Sequence, residues 1–355
     1  FNGVKERKFF HTIFLIGGVP VSAKKQIPYL HYLRAIAILM VVALHSITPY
    51  ISDAAIYGKK LWYVYLFINA VTRGGVPLFL MISGYLMLND DASRDFSVFY
   101  RKRLSRILIP LCIWNVIYYV FYCVFNGAPF KLTELAAQSL DCGTAYHFWY
   151  VYTLFGIYLV TPFLKRLADT CSLKQLVWLE VLICLCNTLR PFVNTVLSAY
   201  IFMFDPLFNG YIGFFLLGYI LGKTDMKSRA IPLFALMGLV GTAMSAVGNH
   251  ISSSEQGIDL AFNSGYNISY FLIAASFFMI FKSINLKQGR AFAAVRSLSS
   301  ASFSIYLVHV GVMDIITRYF MIDASPLVSS LYLFALTVPI SAALSLVIGK
   351  VKYLT

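Results

Sequence analysis

Residues 27–48 read IPYLHYLRAIAILMVVALHSIT. Between Arg34 and His45 every side chain is apolar or small. The run is long enough for one helical crossing of a bilayer, which takes about 20 residues. On a helix, the offset from Arg34 to His45 is a rise of about 16.5 Å and a rotation about 20° beyond whole turns. Both side chains therefore leave the helix in the same direction. Lipid would penalise either one, so that direction must face protein or a wet cavity.

The same pattern recurs along the chain. Of 355 residues, 59% are hydrophobic and 12% charged, against roughly 25% charged in soluble domains. Mean hydropathy is +0.74. Apolar runs lie at 27–48, 61–88, 104–125, 147–165, 174–190, 207–222, 231–249, 267–283, 299–320 and 326–349. The second is interrupted at RGGVP and the sixth is short and glycine-rich. These runs predict an all-α polytopic membrane protein with about ten transmembrane helices. Residues 27–350 form one transmembrane domain, and 351–355 a cytoplasmic tail. Residues 1–26 read as a cytoplasmic or interfacial lead-in. FFHTIFLIGGVPVSA within them loosely resembles a signal peptide, but its Gly and Pro and the basic pair that follows argue against one.

Charge sorts by side. Arg34 and Arg73 lie inside runs, and Lys59, Lys60, Lys131, Arg190 and Arg318 lie on one side; every other Lys and Arg falls on the opposite side. The positive-inside tendency then makes both termini cytoplasmic, in a multi-pass protein of the cell inner membrane or cytoplasmic membrane. The formal charge of +14 is explained by those loops and calls for no nucleic acid. The cysteines form no CxxC or zinc spacing, so neither a metal nor a permanently bound cofactor is expected.

Ionisable groups within lipid-spanning runs are candidates for function. His45 suits general-base work on a neutral hydroxyl, because imidazole titrates near neutral pH. No Ser or Cys sits in a recognisable nucleophile setting, so direct transfer is simpler than a covalent intermediate. Arg103 and Arg106, in RKRLSR, are spaced to share a helix face and suit phosphate; ordinary positive-inside charge is the plainer alternative. Arg73 precedes Gly74, Gly75 and Pro77, and the run continues through Ser83, Gly84 and Tyr85. The glycines either permit a break or let helices pack closely. His147 opens a run beside Trp149, whose ring fits an interfacial aromatic belt. Tyr306 and His309 sit inside the ninth run.

These motifs together resemble the acyltransferase-3 family of membrane acyltransferases, which includes O-acetyltransferases of bacterial surface polysaccharides. The likeness rests on YLHYLRAIAILMVVALHS, GGVPLFLMISGYLML, RKRLSRILIP, HFWYVYTLFGIYLVTP and SFSIYLVH, in that order over about residues 27–320. It implies a membrane O-acyltransferase. The donor is acetyl-CoA or another acyl-CoA used from the cytoplasmic side, and the acceptor is a hydroxyl on a cell-surface glycan or lipid-linked sugar. It implies catalytic roles for His45 and Arg34 and donor contacts at Arg103 and Arg106. Arg73 is assigned to the cofactor side. Ser83, Tyr85, His147, Trp149, Tyr306 and His309 are assigned to substrate contact or support of the site. One departure stands out: the family usually has an acid three residues before the arginine, and here that position is His31. On physics alone, a transporter or flippase of a lipid-linked glycan fits comparable features, although no inverted repeat is visible. Partners are the acyl-CoA, the sugar acceptor and membrane lipids, with oligomeric state unassigned.

Overall fold

A computed structural model describes residues 27–354 except 142, 197–209, 255–256, 264–266, 285, 287–288 and 352; the 1–26 lead-in falls outside the described residues. Every apolar run is helical where described, and the helices stop where the sequence supplies a stop. α1 (Pro28–Ile51) opens on a proline, whose missing N–H is harmless in a first turn. α2 (Lys60–Thr72) and α3 (Gly75–Leu88) are the two halves of the interrupted run. After a one-turn helix at Phe96–Phe99, residues Tyr100–Leu104 form a π-helical turn that leads into α4 (Ser105–Asn126). α4 ends at Gly127, whose φ of 66° is the left-handed conformation favoured at helix ends. Then come α5 (Leu132–Leu140), α6 (Trp149–Thr170), α7 (Leu173–Val196), α8 (Gly210–Lys223), α9 (Ile231–Ser252), α10 (Ile268–Ser283), α11 (Arg290–Tyr319) and α12 (Pro326–Ile348).

The chain is a multi-pass membrane protein. Among the described residues, six segments are long and apolar enough to cross a bilayer: Pro28–Ile51, Lys60–Leu88, Phe96–Asn126, Ser228–Ser252, Arg290–Tyr319 and Pro326–Ile348. α8 and α10 are apolar but have 14 and 16 described residues, or about 21 and 24 Å against a core of about 30 Å. The outer helices are turned inside out relative to a soluble protein. α12 buries Ser329, Ser330, Thr337, Ser341 and Ser345 and exposes Leu331, Leu346 and Val347. α9 likewise buries Gly241, Thr242, Ser245 and Asn249 and exposes Leu236, Leu239 and Val247. Small and polar residues face neighbouring helices and large apolar ones face lipid, as expected where lipid supplies no hydrophobic drive for association.

α1 lies at the centre, packed against α2, α3, α10, α11 and α12. α3 is clamped to α8 backbone to backbone. A Cβ at Gly84 would overlap the Phe215 carbonyl, and one at Gly218 would overlap the Met81 carbonyl. Both close approaches require glycine. Gly218→Val should therefore destabilise the protein by at least the ~1–3 kcal/mol typical of overpacked cores, read as a lowered thermal midpoint in detergent. An unchanged midpoint would show that these helices are not held this close.

Candidate functional site

Three segments meet around one buried cluster: α1 brings His45, α11 brings Tyr306 and His309, and the turn before α6 brings His147. His45 Nδ1 lies 2.8 Å from His309 Nε2. The rings are within 6° of parallel, with centres 5.0 Å apart. A nitrogen contact that short with centres that far apart places the rings edge to edge, in line for a hydrogen bond, not face to face.

The partners fix the tautomers. His309 Nδ1 lies 2.6 Å from the Tyr306 carbonyl oxygen, which can only accept. His309 Nδ1 therefore carries the proton, and Nε2 of the neutral ring is a lone pair. His45 Nδ1–H then donates to it, and His45 Nε2 is left as the unprotonated nitrogen. These proton positions follow from the network of partners.

The surrounding residues lock this pair. The Tyr118 hydroxyl donates to the Leu307 carbonyl at 2.8 Å and accepts from the Gly311 N–H at 3.0 Å. In an uninterrupted helix those two groups bond each other, so the hydroxyl bridges one rung of α11 beside His309. The Tyr306 hydroxyl donates to the His147 carbonyl. The loop ahead of His147 is pinned by Asn115 of α4, whose Oδ1 accepts from Thr144 N at 2.9 Å and whose carbonyl accepts from Thr144 Oγ1 at 2.9 Å.

His147, although it stands at the end of its run in sequence, is 0% exposed. Its ring centre lies 5.1 Å from that of His309 and 5.3 Å from that of Tyr118. Neither ring nitrogen makes a well-formed hydrogen bond among the described residues, although the Leu307 backbone is close enough to act on it. The histidines are not arranged as metal ligands: among the described residues no group of three or more His, Cys, Asp or Glu is placed to hold an ion.

Arg34 and His45 both face the interior, as their spacing predicts. Arg34 is buried and lines a cavity of ≈ 20 Å³ with Ser83, Tyr150, Ser302 and Tyr306, room for about one water. This cavity lies between Arg34 and the histidine pair. No carboxylate pairs with Arg34 among the described residues. His31, standing where the family's acid is expected, bonds Ser299 Oγ at 3.1 Å through Nδ1 and meets the Phe292 ring edge-on.

Other expected residues separate. Tyr85 is not at the cavity; its ring fills the space over Gly222 and its hydroxyl interacts with Tyr29. Trp149 is half-buried against Tyr211, with ring centres 5.2 Å apart. Arg103 and Arg106 lie within electrostatic reach of each other but differ in exposure. The π turn at Tyr100–Leu104 breaks the α-helical register that the shared-face expectation assumed. Arg103 is buried and ion-paired with Asp90 at 3.0 Å, while Arg106 is exposed beside Arg101 and Lys102. Beyond Arg103, Arg94 and Lys165 each lie 2.6 Å from Asp169, tying this end of α6 to the loop after α3. Arg73 is far from this group in the fold, at the break between α2 and α3, where it bonds Asn69 Oδ1 and the Asn263 carbonyl.

Sequence reasoning passed over Asn115, Tyr118, Glu180 and Asp314. Asp314 accepts from the Tyr122 hydroxyl at 2.9 Å, and Glu180 is 5% exposed in α7. Both acids interrupt apolar runs, so the signal that selected Arg34 and His45 was present for them too.

A family model described as an acyltransferase domain matches residues 27–349. No curated protein and no solved structure matches the chain.

Tyr306→Phe should leave the buried His147 carbonyl without its donor. A loss of roughly 1–3 kcal/mol is expected for such an orphaned group, read from thermal unfolding in detergent. Full retention of stability would mean that another donor takes the tyrosine's place.

Proposed function

The chain belongs to the acyltransferase-3 family, a membrane enzyme of acyl transfer, and from that premise we propose that it moves an acyl group from acyl-CoA to a sugar hydroxyl with His45 as general base. Acetyl is the simplest acyl group, and the acceptor is a cell-surface or lipid-linked glycan. The observation that carries this reading is the His45–His309 hydrogen bond. It commits His45 Nδ1 as a donor and leaves Nε2 free to take a proton.

The proposed topology is ten crossings with both termini cytoplasmic, following the distribution of basic residues. Arg34 then lies toward the cytosol. His45 lies about 9 Å from the outer end of α1, within reach of an acceptor arriving from outside. The donor's phosphates stay at the cytosolic face, where exposed Arg101, Lys102 and Arg106 supply charge. Arg103, held by Asp90, anchors that basic turn. The thin pantetheine arm follows the line from there past Arg34 and the polar lining of Ser83 and Ser302. CoA is a substrate, so no resident cofactor is required.

In the reaction, the acceptor oxygen attacks the thioester carbonyl while His45 Nε2 takes the hydroxyl proton. Arg34, whose charge lacks a carboxylate partner among the described residues, stabilises the developing oxyanion. The C–S bond then breaks, and the leaving thiolate takes the proton back from His45, giving the ester and CoA thiol. His309 acts as a positioning residue. It holds the His45 ring and receives a stronger hydrogen bond once His45 becomes an imidazolium.

Membranes assayed with labelled acetyl-CoA test these roles. His45→Ala should lower acceptor-dependent transfer by about 10²–10⁴-fold, the usual contribution of a positioned general base. His309→Gln, which retains an acceptor atom, should keep more activity than His309→Leu. Near-normal turnover in folded His45→Ala protein would sink the base assignment. Glycan export without thioester consumption would favour a transporter.

A further inference from the structure

On the other side of His45 from the cavity lies a second polar site, centred on Arg73. Its Nε donates to Asn69 Oδ1 at 3.0 Å and one terminal nitrogen donates to the Asn263 carbonyl at 3.1 Å. Both acceptors are neutral, and no carboxylate pairs with this guanidinium among the described residues. A guanidinium has five N–H donors, and among the described residues two of Arg73's are committed, both to neutral acceptors. The residue is half-buried, between the end of α2 and the start of α3.

A second observation points to a missing acceptor. Asn69 is 1% exposed, and its Nδ2 has no hydrogen-bond partner among the described residues. The amide cannot be turned round, because Oδ1 already accepts from Arg73 and a flip would set donor against donor. A buried amide donor therefore stands unpaired on the same group that holds the guanidinium. Such groups are normally satisfied. The pair presents donors only, and a negatively charged acceptor fits it.

Under the proposed topology the site lies in the outer half of the membrane. A Cβ on Gly241 of α9 would lie 2.6 Å from the Ser269 carbonyl in the first turn of α10. α9 continues to Ser252, so α10 starts about 16 Å below the outer end of its neighbour. The chain descends into the bundle to reach that point. Asn263, on the way down, is held by Asn249 at 2.8 Å and by Tyr270 at 3.1 Å. Irregular backbone at this depth is tolerated where it lies against protein or lines a wet cavity. The Tyr211 hydroxyl lies within electrostatic reach of Arg73, and the half-buried Trp149 packs against the Tyr211 ring.

The site is also level with the base. A Cβ at Gly75 would touch Met40 and Val41 of α1 at 3.1 Å. Arg73 lies two residues outward of Gly75 and extends its side chain back toward Asn69, further outward. That brings the guanidinium to the depth of His45, one turn beyond Val41, and its charge acts on the His45 ring. The phosphates of the acyl donor belong at the cytosolic face, so they do not account for a cation here.

We propose that Arg73 and the Asn69 amide form an anion-recognition site for the acyl acceptor, so that the acylated hydroxyl belongs to a glycan carrying a carboxylate or phosphate nearby. The proposal rests on His45 being the base of an acyl transfer. Its test is a binding measurement that does not depend on turnover. The full chain is placed in neutral phosphatidylcholine nanodiscs, and its thermal midpoint is titrated with nitrophenyl glucoside, nitrophenyl glucuronide and the 6-phosphate of nitrophenyl glucoside. These probes share ring hydroxyls and differ in charge at one position.

At least one charged probe should stabilise the protein at a concentration tenfold or more below the neutral one, and which one does so separates carboxylate from phosphate. Arg73→Gln should remove the preference, Arg73→Lys should retain part of it, and His45→Ala should leave it intact. Equal response to neutral and charged probes overturns the site, as does an undiminished preference in Arg73→Gln. If Arg73→Gln does not fold, the wild-type comparison still decides. Labelled acetyl-CoA with the same probes reads the other premise. Charge-selective binding without transfer would defeat the acyltransfer reading alone, and transfer blind to charge would defeat the site alone.

Discussion

The hydrogen bond between His45 and His309 constrains the rest of the bundle. Water would ordinarily set the tautomer and orientation of an imidazole, but within a membrane the protein must do so. Here the partner comes from 264 residues further along the chain. α1 and α11 must therefore lie side by side, and the helices between them must close around that contact. Tyr118 supports α11 from α4, and Asn115, on the same helix, holds the loop that delivers His147. The unprotonated nitrogen, His45 Nε2, is thus defined by a chain of partners that begins at a backbone carbonyl of Tyr306.

Much of this was legible in one dimension because lipid imposes strong local rules. Each apolar run is a helix where described, RGGVP does interrupt the second, and the Arg34–His45 offset does place both side chains on an inward face. What escaped was set by tertiary contact or by departures from ideal helix. The spacing of Arg103 and Arg106 predicts a shared face only for an α-helix, and the π turn removes that premise. His147 stands at the edge of its run, yet the Asn115 contacts fold its loop inward. The pairing of His45 with His309 leaves no local trace, since hydropathy reports depth and not azimuth across different helices. Asp314 and Glu180 are a different case: both interrupt apolar runs, so the sequence marks them by the same rule as Arg34 and His45.

The replacement at position 31 acquires a physical meaning in this setting. An acid there would stand one helical turn from Arg34 and compete for its guanidinium. His31 instead bonds Ser299 and packs on Phe292, both on α11. It contributes to the α1–α11 contact without neutralising Arg34. The arginine's charge is left facing the cavity, where an oxyanion on the donor carbonyl would form under the proposed mechanism. Under the proposed mechanism, a histidine at position 31 thus leaves Arg34 as a cation directed at substrate.

Under the proposed mechanism, with Arg73 on the acceptor side, two arginines bracket the proton-transfer centre, and each lacks a carboxylate partner among the described residues. The consequence is coupling between substrate binding and chemistry. Proton transfer to His45 creates a cation between two existing cations, which is unfavourable in a low-dielectric interior. An acceptor whose anion sits on Arg73 offsets that charge at the moment the imidazolium forms. Water can enter the same space but brings no such anion. The full electrostatic stabilisation then exists only when the correct acceptor is in place, so binding energy from a remote group is used to lower the barrier for transfer and hydrolysis of the thioester by water is left at a disadvantage.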